Sequence, residues 1–586
     1  MTVPQVRHTL HRRAWWSNLR PMKSSRLWLA CSLLFGAGCS GGVATETDAG
    51  GGSATSSTAS AASTTGPGGP TSTSTTTSVG PGVGGGSSSQ GSGGAGQGGS
   101  GAGGDAAGGG GTGGSTTEPT TCAQAAVAHT NLGCDFWPTV TENPVWEVFD
   151  FGVVVTNAGV STAEVTLDRG GVAVDTASVA PGEAATFYLP WVDGLKGPEA
   201  DDCGGITQPS ATAVVADGAY HLASTSPVAV YQFSPIEYSA DGGPPGKDWS
   251  ACPDTCGIEC FSYTNDASML LPTESMGSSF RVLGYPSWDA AALPAFLSIT
   301  ATADATNVTV QLGESGGVQG GDGVPDAGPG ESIELSLDQG EVVQIVATVP
   351  GDFSGSLVTS DRPVQVLTGI GCVYVPEGNS GCDHLEETVI PAVALGKVHP
   401  VVRPTGAQGS PVGHVVRFVG HVNGTTLTYE GDTPNGAPST LDAGQVVDLG
   451  VVDGDFVVRS SQPIGVGTFL LGAFIADPVN SLGDPSQSLA IPTERFRSRY
   501  ELVAPSDFAI TFIDVVLPVG ASATLDGAPL GGLRTAVTAQ LDVVRVELPG
   551  SSTGRHALEA DAPFSAQVIG YGSYSSYQFP AGIDLP

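Results

Sequence analysis

Four short segments of the sequence are close copies of one another: SPVAVY (Ser226–Tyr231), RPVQVL (Arg362–Leu367), QPIGVG (Gln462–Gly467) and APFSAQ (Ala562–Gln567). Each has a proline at its second position, and the prolines are spaced by 136, 100 and 100 residues. A repeat of that length corresponds to one compact domain per copy, because solenoid repeats are only about 20–50 residues long. The segments therefore predict an array of similar modules. In each module the proline is predicted to lie at the start of a late strand, where a missing N–H is tolerated.

The sequence between these segments favours β-structure. FDFGVVVTN (149–157), HVVRFVGHV (414–422) and LDVVRVELP (541–549) are short valine-rich runs, and Gly, Pro, Asp and Asn separate such runs. After residue 40 we find no window of ten or more residues with convincing helical periodicity. We therefore predict an all-β protein with about four tandem β-sandwich-like modules behind a disordered Gly/Ser/Thr-rich stalk. The predicted modules, first to fourth, cover residues 122–262 with a Cys-rich insertion, 263–376, 377–480 and 481–586.

The N-terminus is predicted to be a targeting signal over residues 1–38. Its basic start is followed by an apolar run, Leu27–Gly38, that is too short to span a bilayer. Small residues directly before Cys39 favour a lipoprotein signal, with cleavage before Cys39 and lipidation of its thiol. The protein would then be an outer-membrane lipoprotein facing the cell surface. An ordinary secretory signal is the alternative, and translation starts at either Met1 or Met22.

Residues 39–121 consist almost entirely of Gly, Ser, Thr and Ala. Such a segment cannot bury enough apolar surface to fold, so a disordered linker is predicted. The whole chain has 21 basic and 57 acidic residues, a net charge of −36. Loss of residues 1–38 removes six basic residues and no acid, which leaves 15 basic against 57 acidic residues and a net charge of −42. This charge argues against nucleic acid as a partner, and contact with a membrane is expected only through the N-terminal lipid.

Eight cysteines remain when Cys31 in the signal and Cys39 are set aside, and an even number in an exported chain indicates disulfides. The candidate disulfide cysteines are Cys122, Cys134, Cys203, Cys252, Cys256, Cys260, Cys372 and Cys382. We expect local pairs between the first two and between the last two. Cys203 is expected to join the cluster of three that follows it, and the pairing within that group stays open. The cluster lacks C-x2-C spacing, so no metal site is predicted there.

The segment CDHLEE (Cys382–Glu387) includes Asp383, His384, Glu386 and Glu387 and is the best candidate in the chain for acid–base or metal chemistry. Asp383 and Glu386 fit a D-x-x-E capping box, which predicts a single helical turn. The alternative is a hydrolase, acting on polysaccharide, with Asp383, Glu386 or Glu387 as working carboxylates. We favour the cap, and we predict no catalytic residue, no metal site and no cofactor.

Three further patterns are interpreted as structural. GESGG (313–317) matches a nucleophile elbow only formally, because no helix follows it. His414 and His421 are an odd number of residues apart and therefore point to opposite faces of a strand. Two pairs of loop aspartates could offer oxygen ligands to Ca²⁺, but neither fits an EF-hand loop, and solvated turns are expected. These pairs are Asp322 with Asp326 and Asp453 with Asp455.

Several segments between Asn265 and Lys397 resemble, in the right order, the family named for the N-terminal domain of the IgG-Fc-binding mucus protein. They are NDASMLLPTESMG (265–277), LSITATADATNVTV (297–310), LDQGEVVQI (337–345), FSGSLVTSDRPVQVLTGIGCVYVP (353–376) and CDHLEETVIPAVALGK (382–397). Weaker similarity extends back to Asp150 and on toward residue 480. The long Gly-rich stalk and CPDTCGIEC (252–260) depart from the family pattern.

The family resembles secreted or surface proteins, common in bacteria with large genomes such as myxobacteria, and offers no established reaction to carry over. The expected function therefore rests on the stalk, the predicted lipid, the tandem modules and the lack of a catalytic motif in the sequence. We expect a surface-anchored, extracytoplasmic binding or adhesion protein whose loops at the sandwich ends recognise an unknown protein or glycan ligand. A secreted polysaccharide-active hydrolase and a passive envelope or matrix protein are the alternatives.

Overall fold

A computed structural model of the chain describes residues 118–207, 211–253, 259–378, 381–505, 507–548 and 554–586. The predicted signal, Cys39, most of the predicted linker and Cys256 lie outside these ranges. The helices in them are α1 (Cys122–Ala128), α2 (Asp193–Lys196) and α3 (Ala473–Ala476), with 3-10 turns at Thr273–Ser275, Asp289–Ala291, Ala392–Ala394 and Thr493–Arg495. Within the described residues, no helix has both the length and the apolar character needed to cross a membrane.

The remaining elements are strands. In the first predicted module they are β1 (Gly133–Phe136), β2 (Phe151–Thr156), β3 (Ala163–Arg169), β4 (Val172–Val179), β5 (Ala184–Leu189), β6 (Ala213–Val215) and β7 (His221–Ser234). In the second they are β8 (Asp266–Met269), β9 (Ser279–Arg281), β10 (Ala295–Ala301), β11 (Thr306–Gln311), β12 (Val318–Gln319), β13 (Ser332–Leu337), β14 (Val342–Ala347), β15 (Leu357–Ser360) and β16 (Val364–Val373).

In the third predicted module the strands are β17 (Asp383–Thr388), β18 (Gly396–Val401), β19 (His414–Gly420), β20 (Thr425–Gly431), β21 (Thr440–Leu441), β22 (Val446–Val452) and β23 (Phe456–Phe469). In the fourth they are β24 (Gln487–Leu489), β25 (Arg497–Ala504), β26 (Ile510–Pro518), β27 (Ala523–Leu525), β28 (Ala528–Pro529), β29 (Leu533–Ala536), β30 (Leu541–Leu548), β31 (Gly554–Gly572) and β32 (Ser575–Pro580). The prediction of an all-β fold is confirmed.

The second module shows how alternating side chains build a sandwich. One sheet has the order β12-β14-β10-β16-β17, and the other has the order β13-β11-β15-β9. Along β11 buried and exposed residues alternate, so Val308 faces a core that Ile299 and Ile345 of the other sheet complete. β16 is buried along its whole length because the first module covers its outer face, where Gln365 donates to the Trp137 carbonyl at 2.7 Å.

In the other three modules one long strand serves both sheets. The first half of β7 pairs with β3 and its second half with β2. In the same way β23 passes from β20 to β19, and β31 passes from β25 to β26. In the second module the chain is interrupted at the corresponding point, and β15 and β16 are separate strands in different sheets. Three modules are therefore two sheets joined by a strand that changes partners, and in the second module two consecutive strands take its place.

The four repeated prolines lie where this change of partner occurs. Pro363 directly precedes β16, as predicted, but Pro227, Pro463 and Pro563 lie inside continuous strands, so the prediction that they begin a strand is wrong. The expected physical reason still applies. Proline has no N–H to donate, and the point at which a strand leaves one ladder and joins the next is where that donor is least needed.

A short closing strand follows each of these strands and pairs back onto it. β8 pairs with β7, β17 with β16, β24 with β23 and β32 with β31. β8 and β24 each contact both β17 and β32, so the four closing strands form a closed ring of neighbours. We call these four the central strands. Three of them follow a predicted module boundary directly and complete the sheet of the preceding module.

The first and last modules share one apolar core, which closes the ring. Tyr231 of β7 and Phe579 of β32 belong to the same buried cluster, with ring centroids 4.8 Å apart. Near the C-terminus, Leu585 donates its backbone N–H to the His129 carbonyl at 2.8 Å. All described residues belong to one compact unit, Ala106–Pro586. The modules therefore pack against one another around the central strands instead of forming separate domains.

Candidate functional site

The CDHLEE segment does not begin a helix. Residues Asp383–Thr388 form β17, and the predicted capping box is wrong. The Cys372–Cys382 disulfide ties β16 to the residue before β17, and the two strands pair in antiparallel register. Asp383, Glu386 and Glu387 have relative exposures of 0%, 0% and 1%. Tertiary contacts therefore override the local capping pattern.

Glu386 joins β17 to the first module and to the strand β8. Its Oε1 accepts hydrogen bonds from Gln232 Nε2 at 2.6 Å and from Ser268 Oγ at 3.1 Å. Its Oε2 accepts a short hydrogen bond from the Thr141 hydroxyl, and His384 Nε2 lies 3.7 Å away. Both carboxylate oxygens are therefore satisfied inside the protein.

Asp266 of β8 has the same role toward two other central strands. Its Oδ2 accepts from the backbone N–H of Glu386 at 3.0 Å and of Gln487 at 2.9 Å, and its Oδ1 accepts from Ser486 Oγ at 2.6 Å. Burial raises the pKa of Asp266 well above its usual range, although these hydrogen bonds act in the opposite direction. This one carboxyl thus connects β8, β17 and the start of β24.

Three more acids complete the buried cluster. Asp383 Oδ2 accepts from Ser575 Oγ and from the backbone of Ser576, each at 3.1 Å. Burial raises the pKa of Asp383, and the negative charges of nearby acids raise it further. Burial also raises the pKa of Glu387, and it raises the pKa of Asp484 to about 8. A raised pKa favours the uncharged form of a carboxyl, which can still accept hydrogen bonds from neighbouring strands.

This arrangement has a direct chemical consequence. A glycosidase pair must face a substrate from the walls of an open cleft, whereas Asp383, Glu386 and Glu387 are closed to solvent. A polysaccharide cannot reach them, so the hypothesis that these three acids catalyse hydrolysis is wrong. The cluster instead fixes the register of the four modules, as expected of a buried network with satisfied partners.

Three disulfides join described cysteines that are close in sequence. The structure pairs Cys122 with Cys134, Cys252 with Cys260 and Cys372 with Cys382. Cys203 is also disulfide-bonded. The first pair ties α1 to β1, and the last ties β16 to β17. These bonds are those of a protein that folds in an oxidising compartment.

The remaining sequence patterns are structural. His414 is buried at the start of β19, where burial lowers its pKa to about 4, and His421 follows the other end of that strand. Asp455 pairs with Arg403 and Arg545 at 3.2 and 3.4 Å, so its charge is already balanced. Asp322 and Asp326 accept from the backbone N–H groups of Val214 and Gly320. Over the described ranges, no group of three His, Cys, Asp or Glu side chains is arranged to hold a metal ion.

A different surface emerges from the topology. The chain that leads to each central strand forms a connection, and the four connections cover residues 235–265, 374–382, 470–486 and 573–574. These connections contact one another. The fourth connection binds the first through the Ser573 N–H, which donates to Tyr238 Oη at 2.7 Å. It binds the third through the Tyr574 N–H, which donates to the Ser481 carbonyl at 2.9 Å. The third binds the second through the Gly472 N–H, which donates to the Val375 carbonyl at 2.9 Å. We call the surface they form the connection face.

The connection face exposes apolar and aromatic side chains. Phe474, Ile475 and Val479 have relative exposures of 48%, 39% and 84%. The ring of Tyr574 lies 5.7 Å from that of Phe474. Three large apolar side chains within six residues, beside an aromatic ring, form a patch of the kind that marks interaction sites.

Two tyrosines on this face have unusual backbone conformations. Tyr263 and Tyr574 are partly exposed, and both have a φ of 56°. This left-handed conformation costs a bulky L-residue about 1–2 kcal/mol and persists only where the surrounding structure imposes it. Each tyrosine follows a serine and lies shortly before a central strand. Sequence reasoning missed this face, and the shared Ser-Tyr pair was the signal that could have indicated it.

The sheets and disulfides define an all-β protein with the disulfide bonds that are typical of exported proteins. Residues 266–570, 305 of the 586, match the family model described as IgGFc binding protein, and the chain belongs to this family. It is 32% identical over 216 residues to the human IgGFc-binding protein. That match covers 36% of this chain and 4% of the human protein. The family supports an extracellular binding role and matches no known class of enzyme.

Proposed function

We propose that this chain is a surface-anchored binding or adhesion protein that recognises a protein or glycan ligand through its connection face. The observation that carries the proposal is the convergence of four connections from four modules on one surface, with Phe474, Val479 and Tyr574 presented together. Binding loops held by a rigid scaffold are a common route to recognition. The central strands supply that scaffold.

The charge of the face supports a positively charged partner. Among its described residues, Asp241, Glu259 and Glu377 are exposed acids. The basic residue there is Lys247, whose ammonium contacts Asp150 and Glu237. An acidic surface with exposed aromatic rings favours ligands that carry cationic groups, through charge attraction and cation–π contacts. The net charge of the exported chain argues in the same direction.

The proposed anchor rests on the sequence. Residues 1–38 act as a lipoprotein signal, Cys39 carries the lipid in the outer membrane, and residues 39–121 space the folded modules from it. Metabolic labelling with palmitate tests this. The label should appear on the unchanged chain and disappear in Cys39→Ala, and labelling of both would contradict lipidation at Cys39.

The binding proposal is tested by probing a protein and glycan array with the full exported chain. We expect saturable binding to a reproducible set of ligands. The double variant Phe474→Ser and Val479→Ser should lose most of that binding, whereas Leu533→Ser, which changes a 73% exposed residue outside the connection face, should keep it. Absence of binding to every ligand on a broad array, or an equal loss of binding in the Leu533→Ser control, would contradict the proposal.

A further inference from the structure

A second site lies beside the connection face, between the first and fourth modules. A half-open cavity of about 230 Å³ has one wall from β2 and β5 and the opposite wall from the end of β25. The apolar part of its lining comes from Val154, Ala184, Ile236, Val503 and Ala504. The polar part comes from the Asp507 carboxylate, the Tyr188 phenol and the Thr186 hydroxyl, with Glu237, whose side chain is 1% exposed, at the base of the cavity. This combination suits a ligand with an aliphatic body and a positively charged end.

The two carboxylates are fixed in place by the protein. Asp507 Oδ2 accepts from the backbone N–H of Tyr238 at 2.7 Å and of Ser239 at 3.1 Å. Glu237 Oε2 accepts from the backbone N–H of Asp150 at 2.6 Å, and its Oε1 contacts the Lys247 ammonium. Asp507 does not need to reorganise when a ligand enters, which lowers the cost of binding.

Two glycines keep the surrounding backbone close to these acids. A Cβ on Gly242 would lie 2.4 Å from Asp507 Oδ2, and a Cβ on Gly243 would lie 3.0 Å from Glu237 Oε1. Gly243 also has a φ of 82°, a conformation that L side chains rarely adopt. The glycine pair therefore permits a close approach that any other residue would block.

Most of the titratable groups in this region are acids, and burial raises the pKa of the lining acid Asp507. Burial raises the pKa of Tyr188, and three carboxylates raise it further: Glu237, Asp507 and Asp150. Lys247 offsets part of that charge. Arg555, which follows the lining residue Gly554, is engaged by Glu501 through two nitrogens. Burial also raises the pKa of Glu237 to about 7, despite the Lys247 contact. A further cation would favour the charged form of this carboxyl.

We propose that this cavity binds the protonated amine or guanidinium group of a lysine or arginine side chain, with its methylene groups against the apolar wall and its charge near Asp507 and Glu237. The volume holds one long side chain rather than a large ligand. The cavity shares Ile236, Glu237 and Gly243 with the first connection. However, Phe474, Val479 and Tyr574 are not part of its lining, so the two proposals can fail separately.

The test uses ligand-observed NMR on the full exported chain with small probes. Nα-acetyl-lysine methylamide and its arginine counterpart should bind saturably in the millimolar range. The norleucine counterpart, which has the alkyl chain without the charge, should bind far more weakly. Glucosamine distinguishes an amino sugar from an alkyl cation. Equal binding of norleucine, binding of glucosamine alone, or no saturable binding of either basic probe would overturn the proposal.

Variants locate the binding. Asp507→Asn keeps an oxygen acceptor for the two N–H groups but removes the charge, and it should weaken binding of the basic probes by about 5–10-fold. Glu237→Gln is a second charge variant should the first fail to fold. The control is Glu314→Gln, which removes an exposed carboxylate in the second module and should change nothing. A folded charge variant that binds as tightly as the unchanged protein would overturn the proposal.

Discussion

Tyr574 and Ser575 are neighbours in the chain, but they belong to two contrasting regions of the molecule. Ser575 is buried at the start of a central strand and donates to Asp383, whereas Tyr574 is partly exposed on the connection face. Among the central strands, acids are closed off from water and serve as strand-to-strand bridges. On the connection face, aromatic and aliphatic side chains such as Phe474 and Val479 are exposed to water.

This difference separates stability from recognition. A buried acid is tolerated only if neighbouring donors satisfy it, so the partners of Glu386 and Asp266 come from several modules. An exposed aromatic ring contributes little to folding, and a strained tyrosine backbone even opposes it. We therefore expect changes in the central strands to affect unfolding, and changes on the connection face to affect binding.

The largest loss of stability is expected for Glu386→Ala. This change removes the acceptor of three buried hydrogen bonds, those donated by Gln232, Ser268 and Thr141, and it opens a cavity. The free energy of unfolding should fall by about 3–5 kcal/mol, as when one partner of a buried polar network is removed. Denaturant unfolding followed by circular dichroism measures this. Glu314→Ala, an exposed acid, should change it by less than about 0.5 kcal/mol, and a similar loss in both variants would contradict the bridging role.

A smaller loss is expected when the disulfide beside the central strands is removed. Cys372→Ser with Cys382→Ser should cost about 2–3 kcal/mol, because the reduced unfolded chain regains loop entropy. Cys122→Ser with Cys134→Ser is the matched control, since the two bonds enclose similar separations of 10 and 12 residues. Loop entropy alone predicts nearly equal losses in the two double variants. A larger loss for the first pair would show that β17 also depends on this bond for its alignment.

The fold class could be read from the sequence because its signals are local. Valine-rich runs between Gly and Pro show the strands, and the proline segments show the repeat. The helical turn predicted at Asp383 failed because the D-x-x-E pattern is local, whereas the donors that satisfy these acids are distant. Ser575 and Ser576, for example, lie nearly 200 residues further along the chain.

The connection face could not be predicted from the repeat. Its four connections range from two residues, 573–574, to 31 residues, 235–265, so they share no common length or sequence. What places them together is the ring of central strands, and that ring depends on contacts between modules. Only the Ser-Tyr pair recurs in two of the connections, and the sequence does not indicate that the tyrosine backbone is left-handed.

The response to pH should also distinguish the two regions. Burial raises the pKa of Asp484 to about 8 in the folded protein, against about 4 when unfolded. A carboxyl whose pKa is raised by folding contributes stability that is fully present below the pKa of the unfolded state. This contribution is lost as the pH rises through the pKa of the folded state. Asp484→Asn stays neutral and keeps an oxygen for the Ala473 N–H.

Unfolding of the unchanged protein and of Asp484→Asn should therefore be compared at intervals between about pH 5 and 8. The variant should flatten the decline in unfolding free energy by up to about 1.4 kcal/mol per pH unit, the slope contributed by one proton. Glu314→Gln is the control and should leave the slope unchanged. Parallel curves for Asp484→Asn and the unchanged protein would mean that Asp484 is ionised inside the fold.

The smallest effect on stability is expected on the connection face. Tyr574→Gly removes a side chain from a left-handed backbone, which should gain about 1 kcal/mol, and loses the contact with Phe474, which offsets that gain. The thermal midpoint should therefore change little, while binding of any ligand found on the array falls by about tenfold or more. Tyr429→Phe, on β20 away from the face, should leave binding unchanged. If Tyr574→Gly instead lowers the thermal midpoint strongly and leaves binding unchanged, Tyr574 supports the fold rather than the binding surface, and the proposed separation of the two regions does not hold there.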